Sequence, residues 1–410
     1  MAKYTLCEVK TAADRRQFLD MVDGIYAGCR EYIRPWDHDI EGVFDPARNP
    51  LFEDGEAIRW LLRDTSGAVA GRIAAFYNRK SAWQTAEQPT GGCGFFECID
   101  SDEAAAILFD AAREWLSSRG LEAMDGPVNF GTRDTWWGLL VEGFHPPIYG
   151  MNYNHPYYKR LFENYGFQNY FNQYSFRRDM IGDDLNKAVI AKAGRLEHNP
   201  DYRFRSLRKS ELADAAENFR TIYNKAWAGF NGVSPMSSKQ AHELMKTLRP
   251  IMDPKLIIFA YYKGDPIGFF VNVPDINGAI RHLHGKFGLW AKLKFLYHLK
   301  IKRSCRTVMG LVFGVLPQFQ GKGVESGMIG HFKKVADRIR GRYDALEMVW
   351  IGDFNPLMIR MVESYVVGKR YKTHVTYRYL FDREKPFTRC PRVSKSRGGA
   401  TDDKQNAQTL

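Results

Sequence analysis

The sequence predicts a mixed α/β fold (an α+β mixed sheet) built as two tandem copies of one unit. Three observations carry that prediction: short apolar strands alternate with amphipathic helices, the same order of elements occurs twice, and equivalent landmarks lie about 200 residues apart. A length of 410 residues suits two domains of ordinary size. With 44% hydrophobic and 26% charged residues, the composition is that of a globular chain and excludes disordered and fibrous classes.

The first unit opens with a hairpin, 57–64 and 68–76, joined by a turn containing Gly67. A strand over 94–99 follows, then a helix over 103–119 introduced by a D-x-x-E capping box, Asp100 to Glu103. A strand over 122–128 leads into an insertion, 129–153, dense in aromatic and amide side chains. Asn154 then starts a short helix stopped by Gly166. A linker is expected around 182–200. The second unit repeats the order: hairpin 256–262 and 266–271, strand 308–316, helix 325–340, strand 345–351, and a helix from Asn355 towards Gly368. Its own insertion, a basic segment of about 20 residues that contains 287–303, lies between its hairpin and its next strand. The expected division is therefore 1–181, 200–384 and a disordered tail, 385–410, rich in Ser, Arg, Gly, Asp and Gln.

The sharpest local signal is Gln318-Phe319-Gln320-Gly321-Lys322-Gly323, a Q-x-x-G-x-G loop between a strand and a helix. Two glycines let the backbone approach a ligand closely, and the following helix presents unpaired N–H groups at its positive end. That pattern fits a pyrophosphate held by main-chain donors, with Lys322 as a point charge. It is neither a Walker A loop, which ends in Gly-Lys-Ser/Thr, nor the nicotinamide fingerprint G-x-G-x-x-G. The first unit lacks the loop and has Ser101-Asp-Glu103 at that place, which repels anions.

Val315-Leu316-Pro317 before this loop, the amphipathic helix after it and N-x-x-M-x-x-M-x-E from Asn355 together resemble the acyl-CoA signature of the GNAT (GCN5-related N-acetyltransferase) superfamily. The likeness spans 256–381, and the first unit is similar in strand order. Segments 71–75, 94–97, 126–129, 138–144 and 154–158 resemble a bacterial two-domain GNAT-like acyltransferase group that includes bacterial ceramide synthases. The resemblance implies two tandem GNAT-like domains, the first degenerate and free of CoA. It implies an N-acyltransferase that needs no permanently bound cofactor and uses acyl-CoA as co-substrate. The acceptor would be a primary amine, such as a lipid amine or sphingoid base. By the same resemblance, Val315 to Val324 hold the CoA: Gln318, Phe319, Gln320, Gly321, Lys322, Gly323 and Val324 at the pyrophosphate, Val315 and Leu316 along the pantetheine, with the Leu316 N–H as oxyanion donor. Asn355 would sit near the sulfur. The tyrosine that many such domains place seven residues after that Asn is Val362 here, and Tyr365 stands three residues further on. Two other classes stay open: an aminoacyl-tRNA-dependent tandem-GNAT transferase and a non-catalytic acyl-CoA-binding protein.

Acyl transfer to an amine also needs a proton acceptor. Glu347 and Asp353 flank the strand end beside Asn355 and are the candidates, each with a plainer alternative as a solvent-facing strand residue or a helix N-cap. His282 and His284 alternate on a strand-like stretch, but no third ligand of recognisable spacing makes them a metal site. The insertion 129–153 would form an acceptor or acyl-chain pocket, with Glu97 nearby, or a contact between the units.

The net charge of +12 is concentrated. From Ile276 to Val324 there are nine Lys and Arg and no Asp or Glu, leaving +3 for the rest of the chain. Within that stretch 287–303 reads as a basic amphipathic helix bearing Leu289, Leu293, Leu296, Tyr297 and Ile301. It suits peripheral membrane contact at an inner membrane, packing on its own domain with a solvated basic side, or attraction of phosphate or RNA; no specific nucleic acid is expected. The six cysteines form no C-x-x-C pair, the N-terminus shows no signal sequence and no apolar run is long enough to span a bilayer, so a cytoplasmic protein is expected.

Overall fold

The computed structural model describes residues 3–83, 88–182, 185–227 and 235–392. The greater part of the expected tail, 393–410, lies outside the described residues; 385–392 run along the first half, where Lys385 pairs with Glu122 (2.6 Å).

The first half contributes β1 (Tyr4–Glu8), α1 (Ala12–Ile25), α2 (Asp37–Val43), β2 (Gly55–Asp64), β3 (Val69–Asn78), α3 (Arg79–Ala82), β4 (Thr90–Cys98), α4 (Asp102–Ser117), β5 (Ala123–Gly126), β6 (Leu139–Glu142), α5 (Tyr158–Tyr165) and β7 (Gln168–Asp179). The second contributes α6 (Lys187–Glu197), β8 (Tyr202–Ser206), α7 (Leu212–Trp227), α8 (Ser238–Leu248), β9 (Ile257–Tyr262), β10 (Asp265–Pro274), α9 (Asn277–Ile280), α10 (Leu289–Leu296), β11 (Thr307–Val315), α11 (Val324–Arg338), β12 (Ala345–Gly352), α12 (Pro356–Met361) and β13 (Lys369–Leu380). Local chemistry sets many of these boundaries. Lys263 and Gly264, both at positive φ, make the two-residue turn between β9 and β10. Gly166, at φ +109°, ends α5, and Asn355 caps α12 ahead of Pro356.

All strands join one mixed sheet in the order β1-β2-β3-β4-β5-β13-β7-β12-β11-β10-β9-β8, with β6 added against β13. The order contains an exchange. β7, the last strand of the first half, pairs antiparallel with β12, while β13, the last strand of the second half, pairs antiparallel with β5. The two exchanged strands also pair with each other, from Lys369↔Arg177 to Arg378↔Gln168. Each core therefore contains the other half's side chains: Tyr377 sits in the first-half core, its ring 5.6 Å from that of Phe162, and Phe176, paired in register with Met348, belongs to the second-half core. A fork of Arg378 on Asp125 (2.6 and 2.9 Å) ties β13 to β5.

Three expectations are corrected. The stretch read as a linker holds α6, whose N-cap is Asn186 and which packs on α11; it has a single buried residue, Val189, so its apolar periodicity is faint. Asp100 and Glu103 do not form a capping box: Ser101 caps α4, Asp100 pairs with Arg160 and Glu103 with Lys3. Residues 281–284 form turns after α9, so His282 and His284 do not share a strand face; His282 stacks on His298, with centroids 3.9 Å apart. Among the described residues no group of three or more His, Cys, Asp and Glu is arranged to hold a metal.

Candidate active site

β11 and β12 run parallel only from Thr307↔Ala345 to Gly310↔Met348. Immediately beyond, both strands bulge. Leu311 is the extra residue between Gly310 and Val312 on the β10 side, and Val349-Trp350 face the single residue Ser175 on the β7 side, with Trp350 at φ +64°. The strands part there, and among the described residues no strand pairs with the β12-facing edge of β11 from Leu311 onward. The Leu316 N–H donates to Ile267 O (2.9 Å), so alternation along the strand turns the main chains of Phe313 and Val315 towards the gap. This corrects the expected oxyanion donor: Leu316 is already spent on the sheet, and the open donors are at Phe313 and Val315.

At the end of β11 the chain makes a single tight turn over Pro317–Phe319. The Gln320 side chain donates back to Val315 O (3.1 Å) and fixes the loop against the strand. Gly321 and Gly323 have φ of +72° and +93°, conformations that favour glycine. Gly323 occupies the N-cap of α11 and provides no capping side chain, so the first amides of the helix have no intrahelical partner. The Gly321 N–H meets the Glu325 carboxylate (3.3 Å), an anion already on the loop. Gln318 and Lys322 stand at the surface, with the Lys322 ammonium 5.6 Å from the Phe319 ring centroid.

A pocket of ≈ 220 Å³ opens beside this loop, lined by Gly321, Gly323, Glu325 and Ser326, with Lys192 from α6 and Arg360 and Tyr365 from the α12 segment. Of the four proposed catalytic residues, Tyr365 alone lines this pocket. Asn355 caps α12 through Met358 N–H (3.2 Å). Asp353 is held by Arg389 (2.7 Å) and Asn172 (3.0 Å), which ties the end of β12 to β7 and the segment after β13. Glu347 is 1% exposed and accepts from the equally buried Lys372 ammonium (2.6 Å). Burial pulls Lys372 down, against the opposing effect of Glu347. Sequence reasoning missed Lys192 and Arg360, which bring two cations to the loop. The Asn186 cap was the available signal for the helix that carries Lys192.

The first half repeats the split without the loop. β4 and β5 pair from Thr90↔Ala123 to Gly92↔Asp125, then β4 bulges at Phe95 (φ +50°). Val128 closes part of that gap by donating to Cys93 O (2.8 Å). Behind it Glu97 lies in a narrow cavity, accepting from Tyr26 (2.7 Å) and Tyr158 (2.8 Å) with Arg72 at 3.5 Å. Burial pushes the Glu97 carboxyl up, and Arg72 opposes this. The insertion 129–153 does two things there. Trp136 and Met151 line the cavity, while Ile148 and Met151 pack on Val273, Met309 and Val349 of the second half. Tyr149 N–H on Asp275 (2.9 Å) and Asn277 on Pro147 O (2.8 Å) fasten this contact.

No protein-family model matches the chain. It is 28% identical over 386 residues to a bacterial ceramide synthase of Caulobacter vibrioides (strain NA1000 / CB15N), covering 92% of this chain and 97% of that one. It is also 28% identical over 338 residues to Protein YghO of Escherichia coli (strain K12), covering 81% and 84%. Among solved structures, a tandem GNAT protein from the clavulanic acid biosynthesis pathway superposes with a TM-score of 0.51 at 11% identity, covering 93% of this chain and 100% of the other. The GCN5-related glucosamine N-acetyltransferase region of a fungal GH3 β-N-acetylglucosaminidase gives the same TM-score at 13% identity; 92% of this chain is covered but only 38% of that longer one. The fold is the tandem GNAT fold, as the Q-x-x-G-x-G loop and the repeated element order led us to expect.

Proposed function

We propose that the chain is an acyl-CoA-dependent N-acyltransferase acting on a primary amine, with a lipid amine of the sphingoid-base type as acceptor. The observation that carries this reading is the parting of β11 and β12 beside a glycine loop whose helix has no capping side chain. Such a gap suits an extended thioester arm, and the amides of Gly323–Ser326 at the start of the helix suit its pyrophosphate. Lys192 and Arg360 add positive charge at the same pocket. A ceramide is the amide of a long-chain amine, so the name of the Caulobacter relative favours a lipid acceptor.

In this scheme the amine attacks the thioester carbon directly. Main-chain N–H groups of Phe313 or Val315 hold the oxyanion, and the C–S bond breaks as the intermediate collapses. Tyr365 donates a proton to the departing thiolate, and Glu347, held by Lys372, receives the ammonium proton. Asn355 places the segment that carries Tyr365, and Asp353 is a strut. The segment 287–303 meets a membrane surface, which gives a lipid acceptor a route to the enzyme.

The test is mass spectrometry of products from a panel of acyl-CoAs and amines that includes long-chain bases. An N-acyl amide and one equivalent of free CoA thiol are expected, with kcat roughly 100-fold lower and KM for acyl-CoA little changed in Tyr365→Phe. CoA binding without turnover on any amine would instead favour the non-catalytic reading.

A further inference from the structure

The basic segment lies at the opposite end of β11 from the glycine loop. Lys300 to Arg306 precede Thr307, the loop follows Val315, and nine residues of strand span about 30 Å. Apart from Lys322, the concentrated charge is thus not an extension of the CoA phosphate site.

Instead it joins cations brought from elsewhere in the chain. Lys302 and Arg303 share one open groove with Lys209, Lys255, Arg338 and Arg340, at the ends of β8, β9 and α11. Lys300, Arg306 and Arg342 complete a set of nine Lys and Arg in a groove of ≈ 1010 Å³. Its lining includes one carboxylate, Asp253, which accepts from the Tyr343 hydroxyl (3.0 Å). Arg306 is paired with Asp344, and Lys300 and Arg342 donate to main-chain carbonyls; among the described residues the six named first make no ion pair.

Beside the groove, α10 and the turn after it hold their apolar side chains in solvent. Trp290 is 82% exposed, Leu289 72% and Ile301 71%, while Phe295 and Leu299 point inward against the domain. Lys300, Lys302 and Arg303 line the groove and flank the exposed Ile301 in the chain, so the two features adjoin. An apolar ridge next to an open cationic groove is complementary to a bilayer surface, with acyl chains below and phosphates at the level of the groove.

We infer that this groove is a docking site for the phosphate headgroups of an anionic membrane, engaged while the 289–301 ridge inserts. The inference rests on the membrane reading of 287–303 and adds residues distant in sequence from that segment.

Full-length protein should co-sediment with vesicles of phosphatidylcholine and phosphatidylglycerol (7:3), with affinity falling as salt rises. At about 1 kcal/mol per basic residue near the surface, Lys255→Gln/Arg338→Gln/Arg340→Gln should weaken that binding roughly 100-fold. The melting temperature and CoA binding of this variant should match the wild type. Trp290→Ser/Ile301→Ser tests the ridge separately. If the ridge variant loses binding while the groove variant keeps it, the membrane reading stands and the groove inference fails. If wild type binds pure phosphatidylcholine equally well, or ignores vesicles and binds inorganic phosphate or RNA through these residues, the inference is overturned.

Discussion

His374 shows how burial turns a residue into a pH-dependent element of stability. It is 1% exposed on β13, its Nε2 pairs with Asn152 O (3.0 Å), and burial pulls its pKa down to about 4. Its folded value lies below the unfolded one, so the unfolded chain takes the proton first as the pH falls. The neutral ring therefore supports folding fully above about 6.5, and that support, at most about 3 kcal/mol, disappears between 6.5 and 4. Urea midpoints measured across this window should fall with pH in the wild type and less steeply in His374→Gln; equal slopes would show that His374 does not titrate as described. At this scale the sequence was partly legible. Tyr365, which the resemblance offers only as the tyrosine nearest to Val362, lines the loop pocket. The burial of Glu347 with Lys372 was not legible, because the partner lies on a strand exchanged from the far end of the chain.

Elements announced by strong local chemistry were readable: the two hairpins, the Gly166 stop, Asn355 before Pro356 and the glycine loop. α6 was not, since a helix burying only Val189 lacks the periodicity that separates helix from linker. The exchange of β7 and β13 was equally hidden, because both strands satisfy the same local pattern whichever neighbour they pair with. This exchange has a measurable consequence. A fragment of residues 1–182 lacks β13, leaving β5 and β6 without their shared partner and removing Val375, Tyr377 and Tyr379 from the core. It should show no cooperative melt alone and should regain one when co-expressed with residues 183–410. Independent folding of the fragment, with a melting temperature near that of the whole chain, would contradict the dependence.

Across the whole molecule, charge and cleft are arranged at two ends of the second half. Lys300, Lys302, Arg303 and Arg306 line the cationic groove at the end of β11 away from the glycine loop, contrary to what adjacency along the chain suggests; only Lys322 of that stretch sits on the loop. The tandem architecture was legible from the repeat, and so was the asymmetry between a half with the loop and a half without it. How the halves join was not legible, because it depends on pairings between residues some 200 positions apart. The central claim is that the second half takes an acyl-CoA at its loop, and calorimetric titration of CoA tests it most directly. Gly321→Glu introduces a negative side chain on the loop at φ +72°, while Gly321→Asn keeps a residue that tolerates this conformation. Wild type should bind CoA, Gly321→Asn should bind within about tenfold of it, and Gly321→Glu should show no binding while melting within a few degrees of wild type. Undiminished CoA binding by Gly321→Glu, or no binding by the wild type, would contradict the account.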